Sequence, residues 1–202
     1  MAKPAWLTVS PGSGSGNGTI SNSASAHTGR VARTGTVTVT GTGVVTPATY
    51  QVTQTPLAEF ASFDEGATMA ASKSGGTVTV TGKSNSSKLT FSWAGTVLDV
   101  NIPSTYTAAG SSATNGSAIT GDPGASAQFA FSVALTFPAN TSVSDITRSL
   151  IVTDNAGNSV QIAIVQAAGD ATLSVSPTEI TIPQAGTAQS VTVTSNTSWT
   201  VS

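Results

Sequence analysis

Ser149-Leu150-Ile151-Val152, then Asp154-Asn155-Ala156-Gly157-Asn158, then Val160-Gln161-Ile162-Ala163-Ile164-Val165: two short apolar runs rich in β-branched residues flank a cluster of turn-formers. That order reads as a β-hairpin. Both runs are apolar at successive positions, which predicts central strands covered on both faces. Outward along the chain the pattern becomes strict alternation. Thr36-Val37-Thr38-Val39-Thr40, Tyr50-Gln51-Val52-Thr53, Thr77-Val78-Thr79-Val80-Thr81 and Val191-Thr192-Val193-Thr194 each set Val or Tyr on one face and Thr or Gln on the other. Leu89-Thr90-Phe91-Ser92-Trp93 and Gln128-Phe129-Ala130-Phe131-Ser132-Val133 are aromatic versions. Gly41-Thr42-Gly43 and Gly121-Asp122-Pro123-Gly124 supply further turns, and Ala67-Thr68-Met69-Ala70-Ala71 is read as a turn at most. Many short strands, each with one wet and one dry face, define an all-β sandwich.

The whole composition agrees. The chain has 202 residues, roughly a third of them Ser or Thr, with 38% hydrophobic and 8% charged residues. This is enough for one large or two modest domains with real cores. A net charge of -2 leaves no electrostatic footprint for nucleic acid. No apolar run reaches the roughly 18 to 20 residues that span a bilayer, so no membrane insertion is expected. Zero Cys and one His exclude disulfides, thiolate metal sites and most acid–base chemistry. No 7–15-residue apolar stretch follows Lys3, so the start reads as lacking a secretory signal.

The chain repeats itself. Arg33, Gly35, Val37 and Val39, ending at Val52-Thr53-Gln54, have a counterpart in Arg148-Ser149-Leu150-Ile151-Val152, ending at Ile164-Val165-Gln166. Val78-Thr79-Val80, Ser84-Asn85 and Trp93 have one in Val191-Thr192-Val193, Ser195-Asn196 and Trp199. Residues 57–168 carry both signatures, whereas residues 1–56 carry only the first and 169–202 only the second.

Leu173-Ser174-Val175-Ser176-Pro177 through Ser195-Asn196-Thr197-Ser198-Trp199 resembles the first half of a BACON domain. Trp6-Leu7-Thr8-Val9-Ser10-Pro11-Gly12-Ser13-Gly14, with Arg33 and Val52-Thr53-Gln54, resembles its second half. Residues 57–168 resemble a complete but divergent copy that lacks the Trp-Leu-Thr-Val-Ser-Pro box. The resemblance implies immunoglobulin-like sandwiches. The family occurs in gut Bacteroidetes proteins, often beside glycan-active enzymes, and in their bacteriophages; its suggested role is carbohydrate or mucin binding.

Half a sandwich leaves an apolar row in water and strand edges unpaired. Residues 1–56 of one subunit are therefore expected to be completed by residues 169–202 of a neighbour. The interface candidates are Trp6, Val37, Val39, Val52, Leu173, Val175, Val191, Val193 and Trp199. Such head-to-tail strand exchange builds a ring or a filament and buries on the order of 2,000 Å². Membership of a longer tandem array, closure within one chain and a disordered tail are the competing readings.

Catalytic patterns fail one by one. Gly82-Lys83-Ser84 lacks the upstream Gly of a phosphate loop, since Thr77 stands there. Asp64-Glu65-Gly66 reads as a solvated turn, His27 as a loop residue, and Asp154, Asn155 and Asn158 as a hairpin rather than a calcium loop. Arg33 and Arg148 are read as equivalent structural residues. Asn17-Gly18-Thr19 and Asn140-Thr141-Ser142 are chance triplets. Tyr106 is the candidate glycan platform. No enzyme and no cofactor are expected. The expectation is a structural subunit of a phage virion, capsid-decorating or appendage-forming, and the alternative is a carbohydrate- or mucin-binding adhesion module. The expected location is the virion, or the extracellular surface if a native leader is missing.

Overall fold

The computed structural model describes residues 3–202. The head contributes β1 (Leu7–Ser10), β2 (Ser21–Ala24), β3 (Arg33–Val39) and β4 (Ala48–Gln54). The middle contributes β5 (Ala61–Phe63), β6 (Thr68–Ala71), β7 (Gly76–Ser84), β8 (Thr90–Trp93), β9 (Thr105–Ala108), β10 (Ser111–Thr114), β11 (Phe129–Phe137), β12 (Ile146–Thr153) and β13 (Ser159–Gln166). The tail contributes β14 (Leu173–Ser176) and β15 (Thr192–Ser195). The only helical turn among the described residues is a 3-10 turn at Pro123–Ala125.

The middle is a two-layer sandwich. A five-stranded sheet in the order β10-β9-β11-β7-β5 faces a four-stranded sheet in the order β6-β13-β12-β8. Alternation explains the layers. On β11, Phe129, Phe131, Val133, Leu135 and Phe137 all point into the core, and Ala130, Ala134 and Thr136 point out. Leu150 and Val152 of β12 and Ile162 and Ile164 of β13 meet them from the other sheet, fully buried. Phe91 stacks edge-on against Tyr106 and Phe131, with ring centroids 5.0 and 5.6 Å apart.

The hairpin forms as expected. Gly157 takes a positive φ, and the buried Asp154 carboxylate accepts the Asn158 backbone N–H at 2.9 Å and its side-chain amide at 2.8 Å. Two expectations need correction. β12 and β13 are central in their sheet, but their outer row of Ile151, Ala163 and Val165 is only half-buried, so no second layer covers it. Residues 68–71 are not a turn: β6 is an edge strand running parallel to β13, with Ala71 in the core.

In the head, β1 pairs with β2 and β3 with β4, as two separate two-stranded sheets. A side chain at Gly35 would run into Pro4 and Trp6, so glycine permits that close approach. The Tyr50 hydroxyl donates to Asn22 Oδ1 at 2.9 Å between the two sheets.

Candidate assembly interface

The tail repeats the opening of the middle module bond for bond. Asn85 Oδ1 accepts the Phe60 N–H at 3.0 Å, and its Nδ2 donates to Ala58 O at 3.1 Å and Thr28 O at 3.3 Å. Asn196 Oδ1 accepts the Thr172 N–H at 2.8 Å, and its Nδ2 donates to Asp170 O at 2.9 Å and Thr141 O at 3.1 Å. Ser84 Oγ donates to Phe60 O at 2.7 Å, as Ser195 Oγ does to Thr172 O at 2.9 Å. Leu57 N–H donates to Gly29 O, as Gly169 N–H does to Ser142 O. Ala61 lies opposite Ser84 in the β5–β7 ladder, as Leu173 lies opposite Ser195 in the β14–β15 ladder. β14 and β15 are thus second copies of β5 and the end of β7.

The head repeats the close of the module. Gln54 Nε2 donates to Ser25 O at 2.9 Å, as Gln166 Nε2 does to Pro138 O at 2.7 Å. Gln54 Oε1 accepts Arg33 Nε at 2.8 Å, and Gln166 Oε1 accepts Arg148 Nη1 at 3.1 Å. Both guanidinium groups lie over an aromatic ring, Trp6 at 4.7 Å and Phe137 at 5.4 Å. Their positions are not equivalent, which corrects the sequence alignment. Arg33 lies opposite Gln54, but Ile146 lies opposite Gln166, so Arg148 stands where the head has Gly35. The register also moves the other signature by two residues. Aligned on Asn85 and Asn196, Val191 matches Val80 and Val193 matches Gly82, and Trp199 falls beside Lys88 and Leu89 rather than at Trp93.

What the two ends lack is then measurable. Leu150, Val152, Ile162 and Ile164 are completely buried in the middle; the head has Val37, Val39, Tyr50 and Val52 there. Val39 is 41% exposed and Tyr50 and Val52 are half-buried. Val37 is already buried, as is Leu7; Val37 is therefore not an open interface residue. Trp6 is half-covered by Arg33. In the tail, Leu173, Val175, Val191 and Trp199 are exposed and Val193 is half-buried. Edges are missing too. β11 pairs on both sides, with β9 and β7, whereas its head copy β2 pairs with β1 alone; β12 pairs with β13 and β8, whereas β3 pairs with β4 alone. Among the described residues no hydrogen bond joins the tail to the head, so the structure does not bring the two sets of candidates together.

Other groups have structural employment. Glu65 accepts hydrogen bonds from the Thr81 backbone and hydroxyl. Arg30 pairs with Asp122 and Glu59 at the head joint, and Lys73 pairs with Asp170 at the tail joint. His27 bonds Val31 O at 2.7 Å and lines an open groove with Trp6, Arg33 and Ser126. Asn140 is buried and ties Ser144 O to Ala167 O. Tyr106 is 5% exposed with its ring in the core, and burial pushes its phenol above the usual 10.0, so it offers no platform to a sugar. No cluster of three potential metal ligands occurs among the described residues. The sequence did not single out Asn85, Asn196 or Gln166 as interface-organising residues, although the repeated Ser-Asn pairs and the matched endings Val52-Thr53-Gln54 and Ile164-Val165-Gln166 already marked them.

No family model matches the chain, and no curated protein does. Among solved structures, the surface layer protein SbsC, domains 4–9, is similar at a TM-score of 0.38 and 11% identity. The match covers 71% of this chain and 20% of that one.

Proposed function

We propose that this chain is a non-enzymatic structural subunit built from BACON-like, immunoglobulin-like modules. It assembles head to tail: the tail of one copy completes the head of the next by strand complementation. The observation that carries this reading is the bond-for-bond correspondence of residues 170–196 with 58–85 and of 25–54 with 138–166. Each end holds what the other lacks, and each exposes apolar side chains whose counterparts are buried. The contact is heterologous, so copies form a ring or a filament. The carboxylates and the histidine described above are held in turns, ion pairs and joints, which supports a structural role over catalysis. We place the assembly on a phage virion as a capsid-decorating or appendage protein, a placement supported by the BACON resemblance together with this mode of assembly.

Light scattering at micromolar concentration, with electron microscopy of the same sample, tests the assembly. Multiples of the 19.9 kDa subunit, seen as rings or filaments, are expected. A monodisperse monomer overturns it. Peptides of this chain in purified virions test the placement, and their absence from the particle overturns it.

A further inference from the structure

We infer that the joint has one register, in which the tail strand β15 lies antiparallel to a lengthened β2 of a second copy, pairing Val191 with Ile20 and Val193 with Gly18. This rests on the head-to-tail reading above and deepens it by naming the facing residues. Two correspondences fix the alignment. Ser25 and Pro138 serve the matching glutamines, and Thr28 and Thr141 serve the matching asparagines. Counting back from these without a gap sets Ala24 at Phe137, Ile20 at Val133 and Gly18 at Phe131. In the middle module Val133 lies opposite Val80, and Phe131 opposite Gly82.

The side chains at these four positions support the register. Val133 is 1% exposed and Val80 0%, whereas Ile20 and Val191 are each 40% exposed. The intended partners are therefore a second pair of branched aliphatics, both waiting in solvent. At the next inward position the sizes are exchanged. A side chain on Gly82 would collide with the Phe131 ring, so the middle module sets a large residue on β11 against none on β7. The joint sets none on the head strand, Gly18, against Val193 on the tail strand. Large-against-small is kept while the large member changes sides, as close packing requires. Gly18 and Ile20 lie just outside β2, which has four residues where β11 has nine. Docking of β15 therefore extends β2 towards its N-terminal side. The occupant is a second copy, because the tail is tethered at Asn196 to the far side of the middle module and carries the complementary residues.

The absence of Cys makes the register open to direct test. Ile20→Cys protein is mixed with Val191→Cys protein and oxidised; the expected product is a disulfide-linked dimer, because directly opposed residues bring their Cβ atoms to about 4.5–5.5 Å. Ser23→Cys, three residues away, should give at least about tenfold less with the same partner. Equal cross-linking by Ser23→Cys, or none by Ile20→Cys in a sample that light scattering shows to be assembled, overturns the register and leaves the assembly standing. A disulfide closed within one chain of the Ile20→Cys/Val191→Cys double variant overturns the second-copy reading. A monomeric wild-type sample overturns both. A size-swap provides the second arm. Nothing lies within 4 Å of a side chain added at Gly18, so Gly18→Phe leaves the subunit folded. It should weaken association about tenfold or more, and adding Val193→Gly, which restores the middle module's own pairing, should recover most of that loss. Equal association of all three proteins overturns the register.

Discussion

Asn85 has no exposed surface, and its carboxamide bonds the chain at Thr28, Ala58 and Phe60 simultaneously. An Ala there leaves the partly buried Phe60 N–H without its acceptor and empties a fully buried site, so Asn85→Ala should cost about 2–4 kcal/mol in urea unfolding. The same change at the solvent-exposed Asn196 should cost under about 1 kcal/mol in an isolated subunit, because water replaces the lost bonds. A second residue-scale effect comes from Asp99. Its carboxyl is held below the ordinary 3.8 by the hydrogen bond from the buried Arg148, against desolvation and with help from the guanidinium charge. A depressed folded-state value means stability that is fully present above about pH 4 and is lost as pH falls further. The melting temperature of Asp99→Asn should therefore be lower at pH 7 and should fall less steeply below pH 4 than that of the wild type. An unchanged acid slope would show that other carboxylates set it. These hubs were hard to read from sequence because an Asn or Gln between strands looks like any turn residue until its hydrogen-bond partners, donors and acceptors scattered along the chain, are in place.

At the scale of elements, period two located most of the strands, and the apolar–turn–apolar run at residues 149–165 gave the hairpin with its loop. β6 escaped because Thr-Met-Ala-Ala has no clear alternation and no β-branched apolar residue; it is a strand only because β13 offers it a parallel edge. The Arg and Val alignments slipped by two residues for a related reason. A shift of two keeps every side chain on its own face, so hydrophobic pattern alone cannot detect it, whereas cross-strand pairing can. Matched truncations follow from the corrected register. Ile164→Ala, in the closed core, should cost about 2–4 kcal/mol, whereas Val52→Ala, at the same place in the open head, should cost about 1 kcal/mol or less in a dissociated subunit. If the assembly forms as proposed, the cost of Val52→Ala rises with protein concentration, because the site is then covered. A cost independent of concentration would argue that the head closes without a neighbour.

The whole molecule carries a net charge of -2 and only 8% charged residues, and the exposed rows on head and tail are Val, Ile, Leu and Trp. Association through them should be insensitive to screening. Sedimentation profiles at about 0.05 M and about 1 M NaCl are expected to coincide, and dissociation at the higher salt would point to ion pairs instead. The repeated signatures were legible in the sequence, and the sandwich of residues 57–168 lies where both of them occur. Where each end stops and what it leaves uncovered were not legible, since Val37 and Leu7 look as open as Val39 until the head is folded.

The two asparagine knots sit at successive module boundaries, one before the middle module and one after it, with the same bonds. If tails complete heads, every boundary along the resulting string is built alike, whether it falls within a polypeptide or beside a junction between two. Images of a fibre would then show a strong periodicity at half the subunit repeat. The true repeat would emerge only from the small differences between the middle module and the composite one.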